Sequence, residues 1–172
     1  MNKLLINQIP YFYRVLVPKY IELKIQNVAL EHLKLPDMGK LKDRMEGQIY
    51  YDKLKVDLMA EFAFEKVIGI KNFNWEKREN KNYTRKQYDF NGKILNIETF
   101  IGDSLPNLNQ VSNNSIVFVY VNPDNRVYIS GLAKARDIKY LKSTLGTSNY
   151  QFSNFDKLNR FTNDEELFQL ME

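Results

Sequence analysis

The chain has 172 residues, 44 % of them hydrophobic, with seven glycines and five prolines; this suits one folded domain and excludes a disordered, collagen-like or low-complexity chain. It has no cysteine and one histidine, His32, so disulfides, thiolate metal sites and multi-histidine zinc sites are excluded, and a reducing, intracellular compartment is the expectation. The formal charge is +4, unevenly spread: residues 71–93 carry seven basic against three acidic side chains and 126–142 five against one, while 156–172 are acidic overall, a distribution that suits a polyanionic partner.

The first twenty residues are apolar only in patches, interrupted by Asn7, Gln8, Pro10, Arg14 and Pro18, so neither a signal peptide nor a membrane span is predicted. Residues 3–33 read as mainly helical, broken at Pro10 and Pro18, with Ile21, Ile25, Val28, Ala29 and Leu33 on one face of the last stretch. Pro36 to Gly39 signals a turn, and 40–52 is ambiguous between a short helix and a loop. The clearest helix is 56–68, where Leu58, Met59, Phe62, Ala63 and Val67 recur at helical spacing, Asp57 is placed to cap and Gly69 to stop. Residues 73–76 suggest a short strand.

Tyr88-Asp89-Phe90 runs into Asn91-Gly92, a strong hairpin turn. Beyond it 93–100 alternates, with Leu95, Ile97 and Thr99 on one side and Ile94, Asn96, Glu98 and Phe100 on the other. Residues 115–121 are almost continuously apolar, as a central strand covered on both faces would be. A turn at Pro123 to Asn125 leads to a returning strand over 126–130, with Gly131 as its exit. Residues 133–141 and 163–171 read as helices. The order predicts an α/β fold: a mixed β-sheet core flanked by helices, preceded by an N-terminal helical region, in one domain over 1–172.

Four polar side chains stand out. Glu61 lies mid-helix, Asp89 just before the hairpin turn, and Asn96 and Glu98 two residues apart on one face of the next strand. Such a hairpin gathers oxygen ligands for a hard cation, which would activate water and stabilise charge on a phosphodiester. The plainer reading stands beside it: Glu61 belongs to a solvated stripe with Asp57 and Glu65 at i, i+4 spacing, and Asp89 is an ordinary turn residue. Trp75, Tyr83 and Tyr88 lie among basic residues, an arrangement that serves base stacking or simply a core. His32 reads as structural or exposed.

Ala60-Glu61-Phe62-Ala63-Phe64-Glu65-Lys66-Val67-Ile68-Gly69 resembles the first core helix of the PD-(D/E)xK nucleases. Tyr88-Asp89-Phe90-Asn91-Gly92-Lys93-Ile94-Leu95-Asn96-Ile97-Glu98-Thr99 is similar to their catalytic hairpin, in which an Asp precedes a turn and the next strand carries acid-x-Lys. Residues 116–120, 127–131 and 150–158 resemble the segments that follow, so the likeness covers about 57–158. The signature is incomplete. In one alignment Asn96 replaces the second acid and Glu98 the lysine; in the other Glu98 is the acid and Phe100 stands at the lysine. Lys93 and Lys134 are the candidates for a lysine supplied from elsewhere.

The resemblance implies a restriction-endonuclease-like fold and a Mg²⁺- or Mn²⁺-dependent endonuclease acting on DNA. Asp89 and Glu98 would hold the metal, Asn96 would complete its surroundings and Glu61 would be a nearby catalytic acid. Lys77, Arg78, Arg85, Lys86 and Lys134 would contact nucleic acid. It further implies a cytoplasmic protein of phage or mobile-element origin, compatible with a homodimer. The incomplete signature opens an alternative: the same fold without catalysis, binding nucleic acid or a protein partner. An interaction domain with no nucleic-acid role is a third reading, and it would scatter its basic charge over the surface.

Overall fold

The computed structural model describes residues 11–43, 45–100, 114–137, 139–142, 148–151 and 158–172. Strand β1 (Tyr13–Leu16) is followed by helices α1 (Lys19–Leu33), α2 (Met38–Lys42), α3 (Met45–Val67) and α4 (Trp75–Glu79). Then come strands β2 (Gln87–Phe90), β3 (Lys93–Phe100), β4 (Ser115–Val121), β5 (Arg126–Ala133), β6 (Lys139–Lys142) and β7 (Ser148–Gln151), and helix α5 (Asp164–Met171). The α/β class and the mixed sheet agree with the sequence reading.

The main sheet has the order β1-β5-β4-β3-β2. β3 and β4 run parallel, and every other neighbouring pair is antiparallel. β4 is central and buried along most of its length, as its apolar run requires. β6 and β7 form a separate two-stranded sheet.

Helix α3 packs across the sheet. Leu58, Met59, Ala63, Phe64 and Val67 meet Leu95, Ile97, Val117, Val119, Val127 and Ile129 in one core, and Ile21, Ile25, Val28 and Ala29 of α1 close it from outside. The helical period of α3 thus does what its apolar face predicts. On the neighbouring hairpin the alternation of β3 sends Leu95 and Ile97 into this core, together with Tyr88 and Phe90 across the turn.

Several elements differ from expectation. Residues 13–16 are an edge strand and not helix, because Val15 gains a buried place opposite Val127. The part of the predicted N-terminal helix within 1–10 lies outside the described residues, as do 152–157 of the closing segment. α3 starts at Met45, so it absorbs most of the ambiguous stretch and leaves Asp57 inside the helix and not at its cap. Residues 75–79 are helical where a strand was expected, since the Asn74 side chain accepts the Lys77 N–H at 2.9 Å and starts a turn. β5 runs through Gly131 to Ala133 and gives way to a 3₁₀ turn and β6, not to the helix expected over 133–141.

Candidate functional site

Asp57, Glu61 and Glu65 are four residues apart on α3 and therefore share one face. That face is largely buried: the three acids are 5, 0 and 6 % exposed. Buried carboxylates need partners, and residues 73–88 supply them. α4 turns Arg78 back into the interior, where it is 1 % exposed. Its Nε donates to Glu61 Oε2 at 2.7 Å, its Nη2 to Glu65 Oε1, and its Nη1 to the Asn74 carbonyl at 2.9 Å. The guanidinium also lies 3.8 Å from the centre of the Phe73 ring. Tyr88 donates to Glu65 at 3.1 Å, and Tyr83 to Glu61 at 3.4 Å.

Lys86 completes the row. Its backbone is in the left-handed region, with φ 60°, which costs a non-glycine residue about 1 kcal/mol or more. The fold holds it there from three sides. Its N–H donates to Glu61 Oε1 at 2.6 Å, its carbonyl accepts from the Ile97 N–H at 2.8 Å, and its Nζ lies 3.2 Å from Asp57 Oδ1 and 3.3 Å from Thr99 Oγ1. Asp57, Lys86 and Thr99 border a cleft of about 340 Å³ whose other walls include Val56 and Phe100.

The electrostatics follow from this burial. Desolvation pushes the Glu61 carboxyl above its ordinary pKa, against the pull of the Lys86 amide and Arg78. Burial works against the Arg78 charge too, but Glu61, Tyr88 and Glu65 outweigh it and hold the guanidinium firmly protonated. Burial raises Tyr83 to about 12, with Glu61 adding to the shift. It raises Tyr88 as well. Both phenols therefore stay protonated as donors at neutral pH.

The other predicted acids lie elsewhere. β2 and β3 pair Gln87 with Asn96 and Asp89 with Ile94, so Asp89, Asn96 and Glu98 alternate with the core residues Leu95 and Ile97 and share the other face of the hairpin. Asp89 is exposed and accepts the Gly92 N–H at 2.6 Å, the geometry of a turn residue. Glu98 lies four residues beyond Ile94, about 13 Å along the strand. It is half-buried, and desolvation raises its carboxyl pKa, opposed by Lys86 and aided by Asp57. A Mg²⁺ ion binds oxygens at about 2.0–2.1 Å, so Asp89 and Glu98 do not fit as joint ligands at this separation. The residue facing Asn96 across the hairpin is an amide, Gln87. Among the described residues no group of three or more His, Cys, Asp or Glu side chains is placed to share a metal ion.

The basic candidates divide. Lys77 is exposed, its ammonium 4.8 Å from the centre of the Tyr83 ring. Arg78 was expected to touch phosphate, but its two buried glutamates require it inside. Lys86 is drawn to Asp57, and Lys134 is half-buried just after β5. Arg85 is half-buried, with Nε and Nη2 out of reach of solvent and, among the described residues, without a hydrogen-bond partner. Trp75 packs on Phe73 at 4.9 Å, and Tyr88 on Phe64 at 4.8 Å, so both serve the interior. Sequence reasoning missed Arg78 as the counter-ion of the α3 acids; the signal was the spacing of Asp57, Glu61 and Glu65, which shows an acidic stripe but not which side of the helix faces water.

No protein-family model matches the chain, and no curated protein and no solved structure matches it significantly.

Proposed function

We propose that this chain is a nucleic-acid-binding protein on a restriction-endonuclease-like fold that does not hydrolyse its ligand. The observation that carries the reading is the commitment of Glu61. Both its oxygens are taken, by Arg78 at 2.7 Å and by the Lys86 amide at 2.6 Å, in the protein interior. Recruiting it to a metal would strip a buried guanidinium of one of its two carboxylate partners, a change that costs several kcal/mol. The wide separation of Asp89 from Glu98, and the Gln87–Asn96 pair between them, support the same conclusion. The anionic partner is inferred from the basic run over 71–93, in which Lys71, Lys77 and Lys81 are exposed.

The competing reading, a Mg²⁺- or Mn²⁺-dependent DNA endonuclease, is tested directly. Supercoiled plasmid and single-stranded DNA are incubated with the protein and either cation, and fluorescence anisotropy follows binding to labelled oligonucleotides in parallel. The expected result is binding without cleavage. Cleavage by the wild type that Asp89→Ala and Glu98→Ala each abolish would overturn the proposal and establish a working variant site.

A further inference from the structure

Glu65 uses only one of its two oxygens inside the protein. Oε1 accepts from Arg78 and from Tyr88. Oε2 accepts no hydrogen bond from any described residue, yet it is not cut off from solvent. Glu65 lines a cleft of about 510 Å³, separate from the one beside Asp57, and a ligand would reach the open oxygen from there. Phe62, Glu65 and Lys66 are neighbours on one face of α3. Gly69, with φ 87°, turns the chain back, and the Ile70 N–H closes on the Glu65 carbonyl at 2.8 Å, which brings Lys71 and Phe73 to the same cleft. Tyr20, at the start of α1, lines it too and is 64 % exposed. Phe62 and Phe73 meet edge to face at 5.6 Å. Lys66 and Lys71 are exposed and form no ion pair with any described residue.

This lining selects its ligand. Aromatic side chains favour a flat ring. A buried carboxylate with an open oxygen favours an N–H donor and repels an anion. Two free ammonium groups favour phosphate and repel a cation. A simple cation is therefore opposed by the lysines and a simple anion by Glu65. A nucleotide satisfies all three demands, because it carries a flat base with an N–H edge at one end and phosphate at the other. We infer that the cleft takes one unpaired nucleotide of a single strand: its base packs among Tyr20, Phe62 and Phe73, donates an N–H to Glu65 Oε2, and leaves its phosphates to Lys66 and Lys71. Guanine fits best, since N1–H and the N2 amino group lie side by side on its edge. Thymine fits least, since its one N–H lies between two carbonyls. The inference rests on the nucleic-acid reading and adds to it the form of the ligand, a strand whose bases are not already paired.

Fluorescence anisotropy with three labelled probes tests it: an oligothymidine, the same strand carrying one central guanine, and that strand in a duplex. Wild type should bind the guanine strand about tenfold more tightly than oligothymidine. Tyr20→Ala removes an exposed ring, so the fold should be kept; it should weaken single-strand binding about tenfold, the worth of one stacked base, and leave duplex binding unchanged. Glu65→Gln keeps a carbonyl for Arg78 and Tyr88 but turns the open acceptor into an N–H₂ donor, so it should abolish the preference for guanine. Circular dichroism checks that each variant is folded, and Tyr20→Ala decides alone if Glu65→Gln is not. Single-strand binding indifferent to Tyr20→Ala, or a guanine preference that survives in folded Glu65→Gln, overturns the inference and leaves the nucleic-acid reading standing. No binding of any probe ends both.

Discussion

Arg78 sits between two carboxylates that the interior cannot otherwise accommodate, and its removal tests how far the buried row on α3 depends on it. Arg78→Met should destabilise the protein by about 3–5 kcal/mol, because Glu61 and Glu65 would lose their cation while still buried; urea unfolding measures the change. Glu22 makes a second test, at the other side of α3. It accepts from Lys19 at 2.8 Å, Lys55 at 2.9 Å and Asn125 at 3.0 Å, tying α1 to α3 and to the β4–β5 turn. The Lys19 hydrogen bond first, and Lys55 with it, lower its pKa to about 2 against the opposing effect of burial. A depressed carboxyl pKa means that the unfolded chain takes up its proton first. Its stabilisation is complete above the ordinary value of 4.5 and is lost as pH falls towards about 2. Stability measured across that window should therefore fall less steeply with acid in Glu22→Gln than in wild type.

At the level of elements, local pattern read well where it was strong and failed where a distant partner decided. α1, the core of α3, the hairpin β2–β3 and the central strand β4 all follow from periodicity and turn chemistry. β1 does not, because its four residues pair with β5, more than a hundred positions away, and a helix-compatible stretch beside two prolines carries no sign of that partner. β5 outran its expected exit because Leu132 and Ala133 still pair with Val117 and Ile116. Gly131 is not the end of the strand but the place where another chain segment approaches. Its φ is +133°, and a Cβ there would lie 2.9 Å from the Asn159 carbonyl oxygen and 2.9 Å from Leu158 Cβ. Leu132 and Asn159 exchange backbone hydrogen bonds of 2.9 Å beside it. Gly131→Ala should cost about 1–3 kcal/mol and speed hydrogen exchange at the Leu132 and Asn159 amides, which identifies the loss with this contact.

Over the whole molecule, charge and topology bear on function together. No helix among the described residues is long and apolar enough to cross a membrane. If the basic surface engages nucleic acid through about four phosphates, affinity should fall roughly a hundredfold between 50 and 200 mM salt. Lys77→Ala should then weaken binding to all sequences alike and flatten the salt slope by about one. A binding constant insensitive to salt would remove the electrostatic basis of the proposed function.

The sequence by itself determined the class of fold, the main hydrophobic faces, the hairpin and the uneven charge. Each of these rests on residues close together in the chain, where helical or alternating spacing states which side is apolar. Only the tertiary structure decided what the polar residues do. The same acid row on α3 reads as solvated or catalytic from spacing alone. It becomes a buried ion-pair network because α4 folds Arg78 over it and the hairpin entry brings Lys86 to Asp57. Likewise the strand register, and not the order of residues, set Asn96 against Gln87 and left Asp89 at the turn. A carboxylate's chemistry depends on which charges and dipoles surround it, and those neighbours come from elements that are distant in sequence.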